Sequence, residues 1–222
     1  WFSPFWRKLP LVAEGLVLSV LILPWYTQVL SEQIAQAKRE FKLRAAQFEF
    51  ASRTDSLTGL LNRSGFFIAL ENLLSEVHSK SIRGAVMLLD LDGFKAINDT
   101  CGHSAGDAAL KEIGMRLMRY VSNGDRVARI GGDEFGIALV DTASHEDVEQ
   151  LAQELIDAIA SIRVPADPSL RLGASIGICL LPDERFSSSS AIMEESDRLM
   201  YQAKRAGKNC FRTSQAARVA QV

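Results

Sequence analysis

The chain has 222 residues, 47% of them hydrophobic and 23% charged, with a formal net charge of −2. That length holds one well-buried domain plus an accessory segment, and the composition excludes wholesale disorder. The charge balance gives no electrostatic basis for a nucleic-acid-binding surface, and neither the three cysteines (Cys101, Cys179, Cys210) nor the three histidines stand at a zinc-ligand spacing, so the cysteines read as free thiols.

The chain opens at Trp1, which marks it as a fragment or a processed product. Leu9 to Leu30 is strongly apolar. As a helix it would rise ~33 Å, enough to cross a hydrocarbon core of about 30 Å. Arg7 and Lys8 precede it, and Trp6, Trp25 and Tyr26 suit the two interfaces. Glu14, Pro10 and Pro24 fit a soluble apolar helix better; the length and the flanks favour a membrane span. No small-residue cleavage site follows Leu30, so a signal peptide fits poorly. Lys38, Arg39, Lys42, Arg44 and Arg53 outnumber the basic residues ahead of the segment. That bias places the remainder of the chain in the cytoplasm, at the inner membrane.

Ser31 to Arg53 lacks Gly and Pro and is rich in helix formers. Ile34, Phe41 and Phe48 recur every seven residues, with Ala37 and Ala45 on the same face. The spacing suits a two-stranded coiled-coil stalk, or a single amphipathic helix packed on its own domain. From Asp55 the pattern becomes mixed. Helices are predicted over Gly65–Lys80, Ala105–Val121, His145–Ile162 and Ser190–Arg205. Strands are predicted over Gly84–Asp92, a hairpin over Arg126–Val140, a strand over Leu170–Leu180 and a short one over Asn209–Arg212. This order predicts an α+β fold of ferredoxin-like type, with helices covering a sheet that contains antiparallel strands. The chain thus divides into a membrane segment at 1–30, a helical linker at 31–54, a folded domain at 55–212 and a tail at 213–222.

The chemistry concentrates in that domain. Gly131-Gly132-Asp133-Glu134-Phe135 stands between two apolar runs and reads as a tight hairpin whose glycines take positive φ. Glycines also let a ligand approach the backbone, and the adjacent carboxylates are hard oxygen donors suited to Mg²⁺. Asp90 and Asp92 end the buried Met87-Leu88-Leu89 strand, a rigid place for a metal ligand. Downstream, Lys95 offers a point charge for phosphate. Asn98 and Asp107 offer groups that match the donor and acceptor edge of guanine; Asp107 equally suits a first helical turn.

Together these segments resemble the GGDEF family of diguanylate cyclases, from about Asp55 to Asn209. Asp55-Ser-Leu-Thr-Gly-Leu-Leu-Asn-Arg63 is similar to the family's opening signature. Asp90-Leu-Asp-Gly-Phe-Lys-Ala-Ile-Asn-Asp99 and Gly102-His-Ser-Ala-Gly-Asp107 are similar to its nucleotide segment, and Gly131–Phe135 to its signature pentapeptide. Ser175–Ile178 and Asp197–Asn209 resemble its closing strand and helix. The resemblance implies a nucleotidyl-cyclase-type sheet and the condensation of two GTP into cyclic di-GMP by a homodimer, each chain holding one GTP. It implies Asp90, Asp133, Glu134 and the Leu91 carbonyl as ligands of Mg²⁺, or of Mn²⁺ in its place. Asn98 and Asp107 would read guanine, with Phe94, His103, Gly131 and Gly132 near the nucleotide. Lys95 would stabilise phosphate charge, Lys204 and Lys208 would hold the terminal phosphates, and Asp133 would accept the proton of the attacking hydroxyl. One departure stands out. The family's Arg-x-x-Asp product site is here Ser122-Asn123-Gly124-Asp125, without the Arg. A non-catalytic nucleotide receptor and a dimerisation module remain as other readings of the same motifs, the intact acids arguing against both.

Overall fold

The computed structural model describes residues 23–165, 167–183 and 185–214, with the side chains of 24 and 43–51 left aside. Most of the expected membrane segment, 1–22, lies outside the described residues. The chain divides into two compact units, Trp1–Phe50 and Ala51–Val222. Helix α1 spans Leu23–Arg53, so the helical stretch begins before the expected Ser31. Ile34 and Phe41 are exposed on it; the Phe48 side chain lies outside the described set. Among the described residues no helix is long and apolar enough to cross a membrane.

The second unit is an α+β domain. Its elements run α2 (Arg63–Lys80), β1 (Gly84–Asp92), α3 (Phe94–Cys101), α4 (His103–Tyr120), β2 (Arg126–Gly131), β3 (Glu134–Val140), α5 (His145–Ala160), β4 (Gly173–Leu181), α6 (Ser189–Arg205) and β5 (Cys210–Thr213). The five strands lie in the order β2-β3-β1-β4-β5. All neighbours are antiparallel except β4 and β5, which are parallel. The ferredoxin-like expectation holds.

β1 sits at the centre because its run GAVMLLDLD can be buried on both faces. Side chains alternate across a strand. Ala85, Met87, Leu89 and Leu91 therefore pack with Leu110, Ile113 and Leu117 of α4 and Leu155, Ile156 and Ile159 of α5. Val86 and Leu88 face Phe66, Leu70 and Leu73 of α2 and Ile192, Leu199 and Met200 of α6. Asn62, Ser144 and Ser188 cap α2, α5 and α6, each side chain accepting from a backbone N–H in the first turn.

Three local differences from the sequence expectation have physical reasons. Helix α3 has only eight residues and is bracketed by Gly93 and Gly102, both at positive φ (86° and 81°), so it shows too few turns to declare a period. Strand β4 starts at Gly173 rather than Leu170, and an Asp167-Ser169 turn precedes it, with Ser169 N–H and Oγ both donating to the Asp167 carboxylate. At the other end, β5 runs on to Thr213, and Ser214 beyond it is hydrogen-bonded to β4. Ser214 N donates to the Ile178 carbonyl and its Oγ accepts from Leu180 N.

Candidate active site

The carboxylates meet because of strand register. β1 and β3 pair antiparallel with Asp90 directly opposite Glu134, and Leu91 N donates to the Asp133 carbonyl at 3.2 Å. The ends of the central strand and the start of its neighbour therefore carry three acids at one corner of the sheet. Asp90, Asp133 and Glu134 are all half-buried. Burial pushes the Asp90 carboxyl above its ordinary range, and Asp133 and Asp92 add to this against the pull of Lys204. Glu134 is raised in the same way, by burial first and then by Asp90, Asp133 and Asp197. Crowded acids with raised affinity for protons are a site short of positive charge.

One cation is already there. Lys204 Nζ lies 2.7 Å from Asp90 Oδ2. Burial works against its charge, but the hydrogen bond and the attraction of Asp90, Asp133 and Glu134 prevail and raise its pKa. The sequence expectation aims Lys204 at phosphates; the structure seats it on the expected metal ligand instead. Among the described residues no three metal-ligating side chains converge tightly enough to close a metal site by themselves. Asp90, Glu134 or Asp133, and a backbone carbonyl are an all-oxygen donor set that fits Mg²⁺, which commonly completes its shell with water and substrate phosphates.

The hairpin glycines serve one of the two expected purposes, an open backbone, and not the other, a left-handed turn. Neither Gly131 nor Gly132 takes a left-handed φ. Strand β2 instead carries an irregularity between Arg129 and Gly131, leaving Ile130 unpaired, and this bulge supplies the extra twist. A Cβ at Gly132 would meet no protein atom within 4 Å, and one at Gly131 would meet only Glu134 Oε2 at 3.6 Å. The glycines thus keep a surface open rather than relieve strain. Arg129 holds the turn from behind. Its Nε and Nη2 donate to the Gly132 carbonyl at 3.0 and 2.7 Å, and its Nη1 reaches Asp55 Oδ2 at 3.3 Å. Burial disfavours the Asp55 charge, yet hydrogen bonds from Thr58 and the Arg129 guanidinium hold its carboxyl below the usual range. The opening signature therefore buttresses the hairpin, a connection across 74 residues that the sequence does not announce.

The expected base-reading residues come from α3 and α4. Gly102 turns the chain between these helices so that Asn98 lies against Gly106. A Cβ at Gly106 would fall 2.0 Å from Asn98 Oδ1 and 3.2 Å from Phe94 Cζ. Gly106 is thus required by the close approach of the two helices, a role not read from the sequence. Asp107, His103 and Lys95 are exposed near the same helix starts. Phe94 differs from expectation: its side chain is in the core, so only its backbone is available to a nucleotide. Helix α3 starts there with no side-chain cap, leaving backbone N–H groups of the kind that bind phosphate. Lys208 is exposed on the turn after α6.

Comparison with known proteins agrees with this fold. The family model described as "Diguanylate cyclase, GGDEF domain" matches residues 52–210. Over 207 residues the chain is 36% identical to the bifunctional diguanylate cyclase/cyclic di-GMP phosphodiesterase MucR of Pseudomonas aeruginosa, covering 91% of this chain and 29% of that protein. It is 37% identical to the diguanylate cyclase TpbB of the same organism, covering 72% of this chain and 37% of TpbB. The chain therefore spans about a third of the length of these relatives. The solved GGDEF domain of TpbB superposes with a TM-score of 0.68 at 37% identity, covering 73% of this chain and 94% of that one. By its matched motifs, its fold and its relatives, the chain belongs to the GGDEF family of diguanylate cyclases.

Proposed function

We propose that this chain condenses two GTP molecules into cyclic di-GMP, releasing two pyrophosphates, with each protomer of a homodimer presenting one GTP. The observation that carries the reading is the register of Asp90 opposite Glu134, with Asp133 at the open glycine turn between them. Asp90, Asp133, Glu134 and the Leu91 carbonyl would hold Mg²⁺, or Mn²⁺ in its place. A bound divalent ion would neutralise phosphate charge and acidify the attacking 3′-hydroxyl. The protein residues then position and neutralise. Asn98 and Asp107 hold guanine, with His103 beside the nucleotide, and the α3 N-terminus with Lys95 cradles phosphate oxygens. Lys204 leaves Asp90 for the terminal phosphates, which Lys208 also holds. Asp133 takes the proton of the 3′-hydroxyl as it attacks the α-phosphate of the facing nucleotide. Such a displacement depends on alignment and charge neutralisation, and no covalent nucleophile is needed.

The test is incubation of the purified chain with GTP and Mg²⁺, followed by nucleotide chromatography over a protein dilution series. Cyclic di-GMP formed at a rate rising faster than linearly with protein at low concentration supports the reading. GTP left intact, or converted to a monomeric cyclic nucleotide, overturns it.

Two predictions arise from the same site. Gly106→Ala is expected to raise the KM for GTP by about tenfold or more, because a new methyl displaces Asn98 by a good fraction of an ångström and a base contact is lost. An unchanged KM would remove Asn98 from base recognition. Product inhibition is expected to be weak. Asp125, the remaining acid of the product-site window, spends both oxygens on the backbone, accepting from Ser122 N at 2.7 Å and Val140 N at 2.9 Å. Titrating cyclic di-GMP into the turnover assay checks this, and tight inhibition would refute it.

For cellular placement, we propose an inner-membrane anchor at 9–30 with the catalytic domain in the cytoplasm. The apolar length and the basic residues after it support this. Fractionation of cells expressing the chain with and without residues 1–30 tests it.

A further inference from the structure

We infer that Asp92 is a positioning residue, which holds the Lys208 turn in place beside the end of β1 by accepting two hydrogen bonds on one oxygen. The inference rests on the proposed role of Lys208 toward substrate phosphate. After α6 ends at Arg205, Gly207, Lys208 and Asn209 stand at φ values of 116°, 64° and 47°. Two consecutive non-glycine residues in the left-handed region are disfavoured, and persist only where their surroundings fix them. The fixing contacts converge on Asp92. Its Oδ2 accepts from Asn209 N at 3.0 Å and from Ser175 Oγ at 2.9 Å. Ser175 is itself opposite Cys210 in the parallel β4–β5 pair, the residue following Asn209. The Asn209 side chain lies so close to Gly173 that a Cβ there would fall 2.8 Å from its Oδ1, and Gly173 is opposite Asp92 in β1–β4. From inside the turn, Lys208 N donates to the Ala203 carbonyl at 3.2 Å.

The two acids that end β1 therefore have separate tasks. Asp90 reaches Lys204 directly. Asp92, two residues on, reaches Lys208 through the backbone of its neighbour. A lysine on a fixed turn keeps less backbone freedom to lose when phosphate binds, and the binding is correspondingly tighter.

Because both bonds land on one oxygen, the asparagine carbonyl oxygen can replace the carboxylate in this role, whereas as a cation ligand it would be the weaker donor for want of the negative charge. The experiment compares the wild type with Asp92→Ala, Asp92→Asn and Ser175→Ala, measuring binding of a non-hydrolysable GTP analogue, steady-state kinetics against GTP and Mg²⁺, and the rate of tryptic cleavage after Lys208. Asp92→Ala is expected to weaken analogue binding and raise the KM by about tenfold, with kcat held within about threefold. It should also speed cleavage after Lys208. Asp92→Asn should restore all three towards wild type, and Ser175→Ala, which removes one bond, should fall between. Should Asp92→Ala fail to fold, the Ser175→Ala and Asp92→Asn pair decides the matter. Equal loss in the Ala and Asn variants with a raised Mg²⁺ requirement would overturn the inference, as would unchanged cleavage after Lys208. If the wild type binds the analogue but forms no cyclic dinucleotide, the proposed reaction fails while binding and cleavage still judge Asp92. If it binds no nucleotide, cleavage alone judges it.

Discussion

Asp133→Ala is expected to lower turnover by roughly a thousandfold or more while leaving the melting temperature nearly unchanged. The two halves of the expectation have separate causes. Asp133 stands at the turn between β2 and β3, half-buried, and its structural contact is through the backbone, whose carbonyl accepts from Leu91 N. A substitution that keeps this backbone bond should shift stability by no more than about 0.5 kcal/mol. The chemical step loses both a cation ligand and the proposed proton acceptor. Lewis-acid stabilisation of phosphoryl charge contributes several kcal/mol, and every 1.36 kcal/mol is a factor of about ten in rate. Asp133→Asn, which keeps shape but not charge, should recover little. Chelation of divalent ions should silence the wild type to a similar level. A variant that keeps a tenth of wild-type turnover would remove Asp133 from the chemistry and move the weight to Glu134, which faces Asp90 across the ladder.

How much of this was legible beforehand follows the range of each interaction. The buried strand and the hairpin needed only local patterns: a run such as MLLDLD can be buried on both faces, and paired glycines between two apolar runs read as a hairpin. The closeness of Asp90 to Glu134 is a consequence of that hairpin pairing with β1, and the family resemblance implies it by giving both to one cation. What escaped depends on contacts between distant segments. Lys204 meets Asp90 only because α6 crosses β1, and Arg129 reaches Asp55 only because the segment around Leu61 bridges β2. The glycine pair misled because a hairpin can obtain its twist from a bulge as well as from positive φ, and Ile130 gives no local sign that it will be unpaired. Phe94 misled for a related reason. A motif fixes the order of residues but not which way each faces, and an aromatic beside Ile97 on a short helix goes to the core.

Gly177→Ala should be among the most damaging single substitutions in the domain, despite adding one methyl group far from any reacting atom. Gly177 lies in β4, where α6 packs directly on the sheet. A Cβ there would stand 2.0 Å from the Ser196 carbonyl oxygen and 2.4 Å from Met200 N. Both are backbone atoms of a helix, so no side-chain rotation relieves the clash and the whole helix must lift. Overpacking typically costs about 1–3 kcal/mol, and a rigid backbone obstacle belongs at or above the top of that range. For a domain of this size about 3 kcal/mol lowers the melting temperature by roughly 6–12 °C. The displacement would also carry Lys204 away from Asp90, since both α6 and its pairing partner are referenced to β4. Activity should therefore fall even below the melting transition, and the loss should persist at saturating GTP. Gly124→Ala is the matched control: its Cβ would meet only the Val140 Cβ, at 3.9 Å, and should change stability by no more than about 0.5 kcal/mol. A Gly177→Ala protein that melts within a degree of wild type would show that α6 is not seated as closely on β4 as the structure has it, and with it would fall the placement of Lys204 at the carboxylates.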